Sequence, residues 1–243
     1  MASPDKVRQD AQPAFVLHRY PFRETSLVVE TFTRGHGRVP LIARGARRSQ
    51  STLHGVLLSF QPLLLSWTGK TELRTLIRAE WEGAYAPLKG KSLICGFYLN
   101  ELLLKLLPRD DPHERLFSIY QEALAMLGES HEKEAVLRRF EVSLLRELGY
   151  AVLLDRDAEN DEPIRSERSY IYVIELGPMA VKRGSGRNGV ELTGQTLLDM
   201  HAGDYAKAAT QQQSKTLMRA LINHFLNDQV LHTRQLLRDL QGL

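Results

Sequence analysis

The 243-residue sequence predicts an α+β protein: a five-stranded β-barrel of the OB type, then a helical domain carrying a small β insertion. Three observations lead there. Five short apolar or alternating runs, separated by turn residues, fill the stretch from Ala14 to about Glu82. After Pro87 the hydrophobic pattern switches to the period of an amphipathic helix. The charge changes with the texture. Residues 1–80 hold twelve Lys and Arg against six Asp and Glu, net +6, so with a whole-chain charge of +3 the remainder is −3. At 43% hydrophobic and 25% charged residues the chain has the composition of a folded protein.

The strands can be justified in order. Residues 1–12 read as a disordered leader without the apolar centre of a signal peptide. "AFVLHRY" (14–20) is the first strand, broken at Pro21. "TSLVVETFTR" (25–34) alternates, with Leu27, Val29, Thr31 and Thr33 on one face and Val28, Glu30 and Phe32 on the other. "GHG" turns into "RVPLIAR" (38–44), whose Pro40 belongs at an edge or a bulge. "PLLLSWT" (62–68) and "ELRTLIRAEWE" (72–82) flank the turn Gly69-Lys70. Five such strands suit a Greek-key OB barrel, and an SH3-like barrel would leave much the same signature.

The helices follow. "KSLICGFYLNELLLKLL" (91–107) is apolar almost all round, as a central helix should be, and buries its lone thiol, Cys95. "DDPHERLFSIYQEALAMLG" (110–128) offers Asp111 as N-cap, Pro112 at the first helical position and Glu114 three after the cap. "SHEKEAVLRRFEVSLLRELGY" (130–150) is capped by Ser130, ends at Gly149 and buries Val136, Phe140, Leu144 and Leu148. Residues 155–168 are polar and loop-like, "YIYVIEL" and "MAVKR" form a hairpin, and "GQTLLDMHA", "AKAATQQQSKTLMRALINHFLND" and "TRQLLRDL" are helical. No apolar run reaches the ~20 residues of a membrane span, and the cytosol is the expected compartment.

Few motifs carry chemistry. "GSGRNG" (184–189) fits the dinucleotide fingerprint G-x-G-x-x-G, but strand and turn residues follow it where a helix should, so it reads as a flexible turn made basic by Lys182, Arg183 and Arg187. One cysteine and scattered histidines exclude the common zinc patterns, and no nucleophile elbow, P-loop or EF-hand loop occurs. Neither a catalytic residue nor a cofactor or metal is expected. The informative stretch is "GRVPLIARGARRSQS" (37–51), which holds Arg38, Arg44, Arg47 and Arg48 and no acid. Arginine over lysine suits bidentate contacts to phosphate. Arg34, Lys70 and Arg74 complete a candidate DNA-binding set. Among Phe15, Tyr20, Phe22, Phe32, Phe60 and Trp67, most must be core, leaving one or two to stack bases.

Those residues lie in motifs that carry a family resemblance. "ETSLVVETFT", "GRVPLIARGARR", "STLHG", "FQPLLL" and "ELRTL" resemble the N-terminal domain of the RecO family of bacterial recombination and repair mediators. "YLNELLLKLLPRDDPHERLFSIY" and "LRRFEVSLLRELGY" are similar to its helical domain. The likeness is strong over residues 14–150 and looser beyond.

The resemblance implies an OB-fold domain at 13–86, a helical domain at 87–154 and 196–243, and a zinc-ribbon-like insertion at 155–195. Some members hold zinc there on four cysteines. This chain has none after Cys95, which implies a metal-free version. The resemblance further implies a non-enzymatic, nucleoid-associated protein that binds single- and double-stranded DNA and anneals complementary strands. With RecR it would help load RecA onto DNA coated by single-strand-binding protein (SSB). The acidic, Phe-terminated SSB tail would dock on the helical domain, where Arg138, Arg139, Phe140 and Arg146 are the candidate contacts. A nucleic-acid-processing enzyme and an RNA-binding OB protein are the alternatives.

Overall fold

A computed structural model of the chain describes residues 8–83, 85–129, 132–182, 188–227 and 229–241, with side chains described as far as Leu236 in the last stretch. The chain divides into two compact units, Met1–Glu129 with Leu231–Leu243, and Ser130–Val230. Helices expected to follow the barrel as a separate domain are therefore shared between the units.

In the first unit, β1 (Arg8–Phe22), β2 (Ser26–Thr33), β3 (Gly37–Ala43), β4 (Leu63–Thr68) and β5 (Arg74–Trp81) close into a barrel in the ring order β1-β2-β3-β5-β4. A four-residue helix, α1 (Leu53–Val56), lies between β3 and β4. Neighbours pair antiparallel except β3 and β5, which run parallel through Leu41↔Arg74 and Ile42↔Thr75. That Greek-key ring is the OB type. Its interior holds Val16, Val29, Leu41, Leu65 and Trp67, the residues that alternation assigns to one face of each strand. Pro40 pairs with Glu30 but precedes the β3–β5 ladder, so its missing N–H interrupts nothing there.

β1 departs from expectation at both ends. Arg8–Gln12, read as leader, are strand, and Pro21 does not end the strand but pairs with Leu27. The polar start pairs with the remote β4 (Arg8↔Thr68, Gln9↔Trp67), and the later residues pair with β2. A bulge near Ala11 (φ 47°), whose N–H donates to Ser66 Oγ at 3.0 Å, lets one long strand serve both partners. Residues 1–7 of the expected leader lie outside the described residues.

Helices α2 (Gly90–Leu106), α3 (Glu114–Glu129) and α7 (His232–Gln241) complete this unit. α2 buries Cys95, as its pattern requires. Its Asn100 donates to the Leu17 carbonyl (2.8 Å) and accepts from Tyr120 Oη (2.5 Å), a buried polar tie between barrel and helices. α3 starts two residues later than its capping signal and runs through Gly128. The cause is tertiary. Asp110 N–H bonds the Arg38 carbonyl at 3.1 Å, drawing residues 109–111 onto β3, where a Cβ on Gly37 (φ 65°) would collide with the Asp111 carbonyl.

In the second unit, α4 (Lys133–Glu147) buries Val136, Phe140 and Leu144, with Leu148 partly exposed at its end. The expected cap, Ser130, lies outside the described residues. Gly149 (φ 82°) closes the helix, donating to the Arg146 carbonyl at 3.0 Å while Tyr150 N–H reaches Leu145 O at 2.9 Å. The expected hairpin is β6 (Ser169–Val173) with β7 (Gly177–Ala180), and β8 (Val190–Thr193) adds a third strand in the order β7-β6-β8. β8 passes directly into α5 (Gly194–Ala202), so Thr193 and Gly194 are N-cap and first helical residue rather than a turn. α6 (Ala208–Phe225) follows.

Residues 183–187, within the glycine-rich basic turn, lie outside the described residues. The polar loop before β6 is tied down by Asp157, whose buried carboxylate accepts from the N–H of Glu159 (2.8 Å) and of Ala180 (2.9 Å). Among the described residues, no group of three or more His, Cys, Asp or Glu could hold a metal, and no helix is long and apolar enough to cross a membrane.

Candidate nucleic-acid interface

The arginine loop begins where β3 ends. Gly45 (φ 70°) turns the chain, and Ala46 plugs the barrel end with no exposed surface. Arg47 N–H bonds the Thr25 carbonyl (2.9 Å), its guanidinium donates to the Arg23 carbonyl (3.1 Å), and Arg48 N–H returns to Gly45 O (3.1 Å). The loop is thus sewn to the β1–β2 turn while Arg44, Arg47 and Arg48 stay exposed. The same bonds bring up Arg23, which lies over the Phe22 ring at 5.3 Å. Sequence reasoning left Arg23 off the site, and its only local signal was membership in the basic third. The adjacency is made by hydrogen bonds between segments more than twenty residues apart.

The other candidates gather at the opposite end of β3, about 20 Å away at a strand's rise of ~3.3 Å per residue. Arg34 is exposed in the β2–β3 turn and stacks over Phe117 at 5.3 Å, and Lys70 is exposed in the β4–β5 turn. Between these turns a pocket of about 330 Å³ is lined by His36, Trp67, Lys70 and Arg74. Burial, reinforced by the nearby Arg74 cation and opposed by Asp110, holds the His36 imidazole below its usual pKa, and its ring meets Trp67 edge-on at 5.3 Å.

Two of the seven candidates are engaged internally. Arg74 pairs with Asp110 at 2.6 Å. Arg38 donates to the Leu104 carbonyl and lies 3.8 Å from the buried Glu30 carboxylate, which Arg109 also contacts. Burial lowers the Arg38 pKa from its ordinary value. The candidate set is therefore two clusters of free cations, Arg34 with Lys70 and Arg44 with Arg47 and Arg48, rather than one continuous patch. No ion pair neutralises any of these five among the described residues.

Most barrel aromatics are packed away. Phe15 and Phe32 pair across β1 and β2 on the barrel's outer face and are covered by Phe117 and Tyr120 of α3, with centroids 5.3 to 5.9 Å apart. Trp67 fills the interior, and Phe60 packs on Phe97 at 5.0 Å. Tyr20 is exposed, as is Trp81, which lies outside the six candidate aromatics.

In the second unit, Arg138, Arg139 and Arg146 come within electrostatic reach of one buried phenol, Tyr205, whose pKa burial and the Glu141 charge push up to about 12. Arg138 pairs with the fully buried Glu141 at 2.7 Å. Arg139 Nε donates to the Gly203 carbonyl (2.9 Å) and its guanidinium lies 5.9 Å from the Tyr205 ring. Arg146 is exposed and reaches the Val152 carbonyl at 3.4 Å. Phe140 is 1% exposed, so it shapes this surface from behind instead of offering a contact.

Comparison with known proteins agrees with this architecture. Residues 8–85 match the family described as Recombination protein O N terminal, and residues 88–237 match Recombination protein O C terminal. The chain is 57% identical over 239 residues to the DNA repair protein RecO of Nitrosospira multiformis, covering 98% of this chain and 99% of that one. It is 52% identical over 238 residues to that of Aromatoleum aromaticum, with the same coverage. Against that of Dechloromonas aromatica the identity is 48% over 237 residues, 96% of this chain and 97% of the relative.

Proposed function

The chain belongs to the RecO family, and from that premise we propose that it binds DNA without catalysing a reaction, anneals complementary strands and acts as a recombination mediator. The observation carrying this reading is the set of five exposed cations, Arg34, Arg44, Arg47, Arg48 and Lys70, at two ends of an OB barrel with no carboxylate partner among the described residues. Fixed guanidinium groups on phosphates release condensed counterions, which drives binding to any sequence. They also lower the repulsion between two strands brought together on one protein.

Clusters separated by the length of β3 suit a strand of several nucleotides, in line with the roughly 4–16 that one OB fold engages. Single- and double-stranded DNA both present the phosphates this requires, and the nucleoid is the matching location. RecR is the proposed partner in loading RecA onto SSB-coated strands.

The SSB tail ends in a Phe carboxylate among acids, so its site needs guanidinium groups beside an apolar surface. The Arg138, Arg139 and Arg146 group around Tyr205 offers this chemistry in the second unit.

The test is annealing of complementary strands coated with SSB, with no nucleotide or metal added. Acceleration by the wild-type chain, lost in the triple variant Arg44→Ala, Arg47→Ala, Arg48→Ala, is expected. Annealing no faster than with SSB alone would refute the mediator reading.

A further inference from the structure

Within the first unit a groove of about 790 Å³ lies against β1, and its walls are unusual for a solvent-facing surface. Tyr20, Phe97 and Leu236 line it with 46%, 41% and 48% of their surface exposed. They come from β1, α2 and α7, so no single element accounts for the convergence. Leu236 is held in place from the far end of the chain. The Glu101 carboxylate accepts from the N–H of His232 (2.9 Å) and of Thr233 (3.0 Å), fixing the start of α7 on α2.

The polar side of the groove is as specific. Glu30 and Arg38 both line it, and neither Glu30 Oε2 nor Arg38 Nε has a hydrogen-bond partner among the described residues. The two atoms are 3.8 Å apart, one an acceptor and the other a donor. Their ion pair is too long for a hydrogen bond, and buried donors and acceptors without one oppose folding unless something completes them.

We propose that this groove receives one unstacked nucleobase of a bound DNA strand. The proposal rests on the DNA-binding reading above and adds a contact to bases that the cationic clusters lack. A nucleobase edge carries a donor beside an acceptor, the complement of Glu30 Oε2 and Arg38 Nε. Its flat face matches Tyr20, which packs at a tilt against His18, another residue lining the groove, at 4.4 Å between ring centroids. Arg109, 42% exposed along its side chain and bonded to Glu30, stands where the same nucleotide's phosphate would need a cation.

The experiment compares two labelled strands of about 12 residues, one of deoxycytidines and one abasic with the same backbone charge, by fluorescence anisotropy. The wild type should prefer the base-bearing strand about tenfold, a typical worth of one stacked base. Tyr20→Ala and Phe97→Ala should each reduce that preference to less than about threefold without weakening the abasic strand. The triple arginine variant should weaken both strands alike. Preference persisting in both aromatic variants, or equal binding of the two strands by the wild type, overturns the base pocket and leaves the DNA-binding reading standing. Binding of neither strand by the wild type overturns both.

Discussion

Replacing Arg44, Arg47 and Arg48 together with alanine should flatten the salt dependence of DNA binding by a calculable amount. Each phosphate contact on a single strand contributes about 0.7 to the slope of log affinity against log salt, so three contacts contribute about 2. Raising salt fourfold, from about 50 to about 200 mM, should then cost the wild type roughly twentyfold more affinity than the variant.

The structure justifies counting all three. They are exposed, no ion pair neutralises them among the described residues, and the loop is held by the Arg47–Thr25 and Arg48–Gly45 backbone bonds. Arg38 and Arg74 serve as internal controls. Arg74 already pairs with Asp110 and Arg38 is committed to Leu104 and Glu30, so alanine at either should change the slope by much less than 0.7. The assay is anisotropy of a labelled single strand over a salt series, with circular dichroism confirming the fold. An unchanged slope in the triple variant, or an equal reduction from Arg38→Ala or Arg74→Ala alone, would refute the reasoning.

Three further outcomes are expected. Arg139→Glu should remove most binding of an SSB-tail peptide, since it converts attraction into like-charge repulsion beside Tyr205, while DNA affinity survives because the barrel cations are untouched; equal loss of both in anisotropy would contradict the two-site arrangement. Asn100→Ala strands the Leu17 carbonyl and the Tyr120 hydroxyl in the interior and should destabilise the protein by about 2–4 kcal/mol, read from the urea midpoint. Asp157→Ala removes a buried carboxylate that accepts from two part-buried N–H groups and should lower stability by about 1–3 kcal/mol, whereas a chelator should leave the melting temperature of the wild type unchanged; a chelator-dependent drop would show a structural metal.

Local periodicity was enough for most elements. The alternation in "TSLVVETFTR" placed Leu27 and Val29 on the interior face and Glu30 and Phe32 on the outer one, and the stripe of Val136, Phe140 and Leu144 is buried as its spacing requires. Capping chemistry at Gly149 was legible because it involves residues within one turn. It misled at Asp111, where the neighbouring Asp110 N–H, bonded to the Arg38 carbonyl of β3, outweighed a local cap preference of about 1 kcal/mol. The polar "RQDAQ" of β1 was unreadable for a related reason, because its ladder partner lies about sixty residues away in β4.

The site divides along the same line. The sequence by itself determined that the N-terminal third is basic, that Arg44, Arg47 and Arg48 crowd one loop, and that no acid lies within that loop. Only the tertiary structure decided which cations remain free. Glu30 meets Arg38 diagonally across the β2–β3 ladder and Arg109 from seventy-nine residues away, and Asp110 meets Arg74 through the docking of the loop before α3. Charge neutralisation acts over a few ångströms in space, and sequence spacing carries no record of that distance once the chain has folded back on itself.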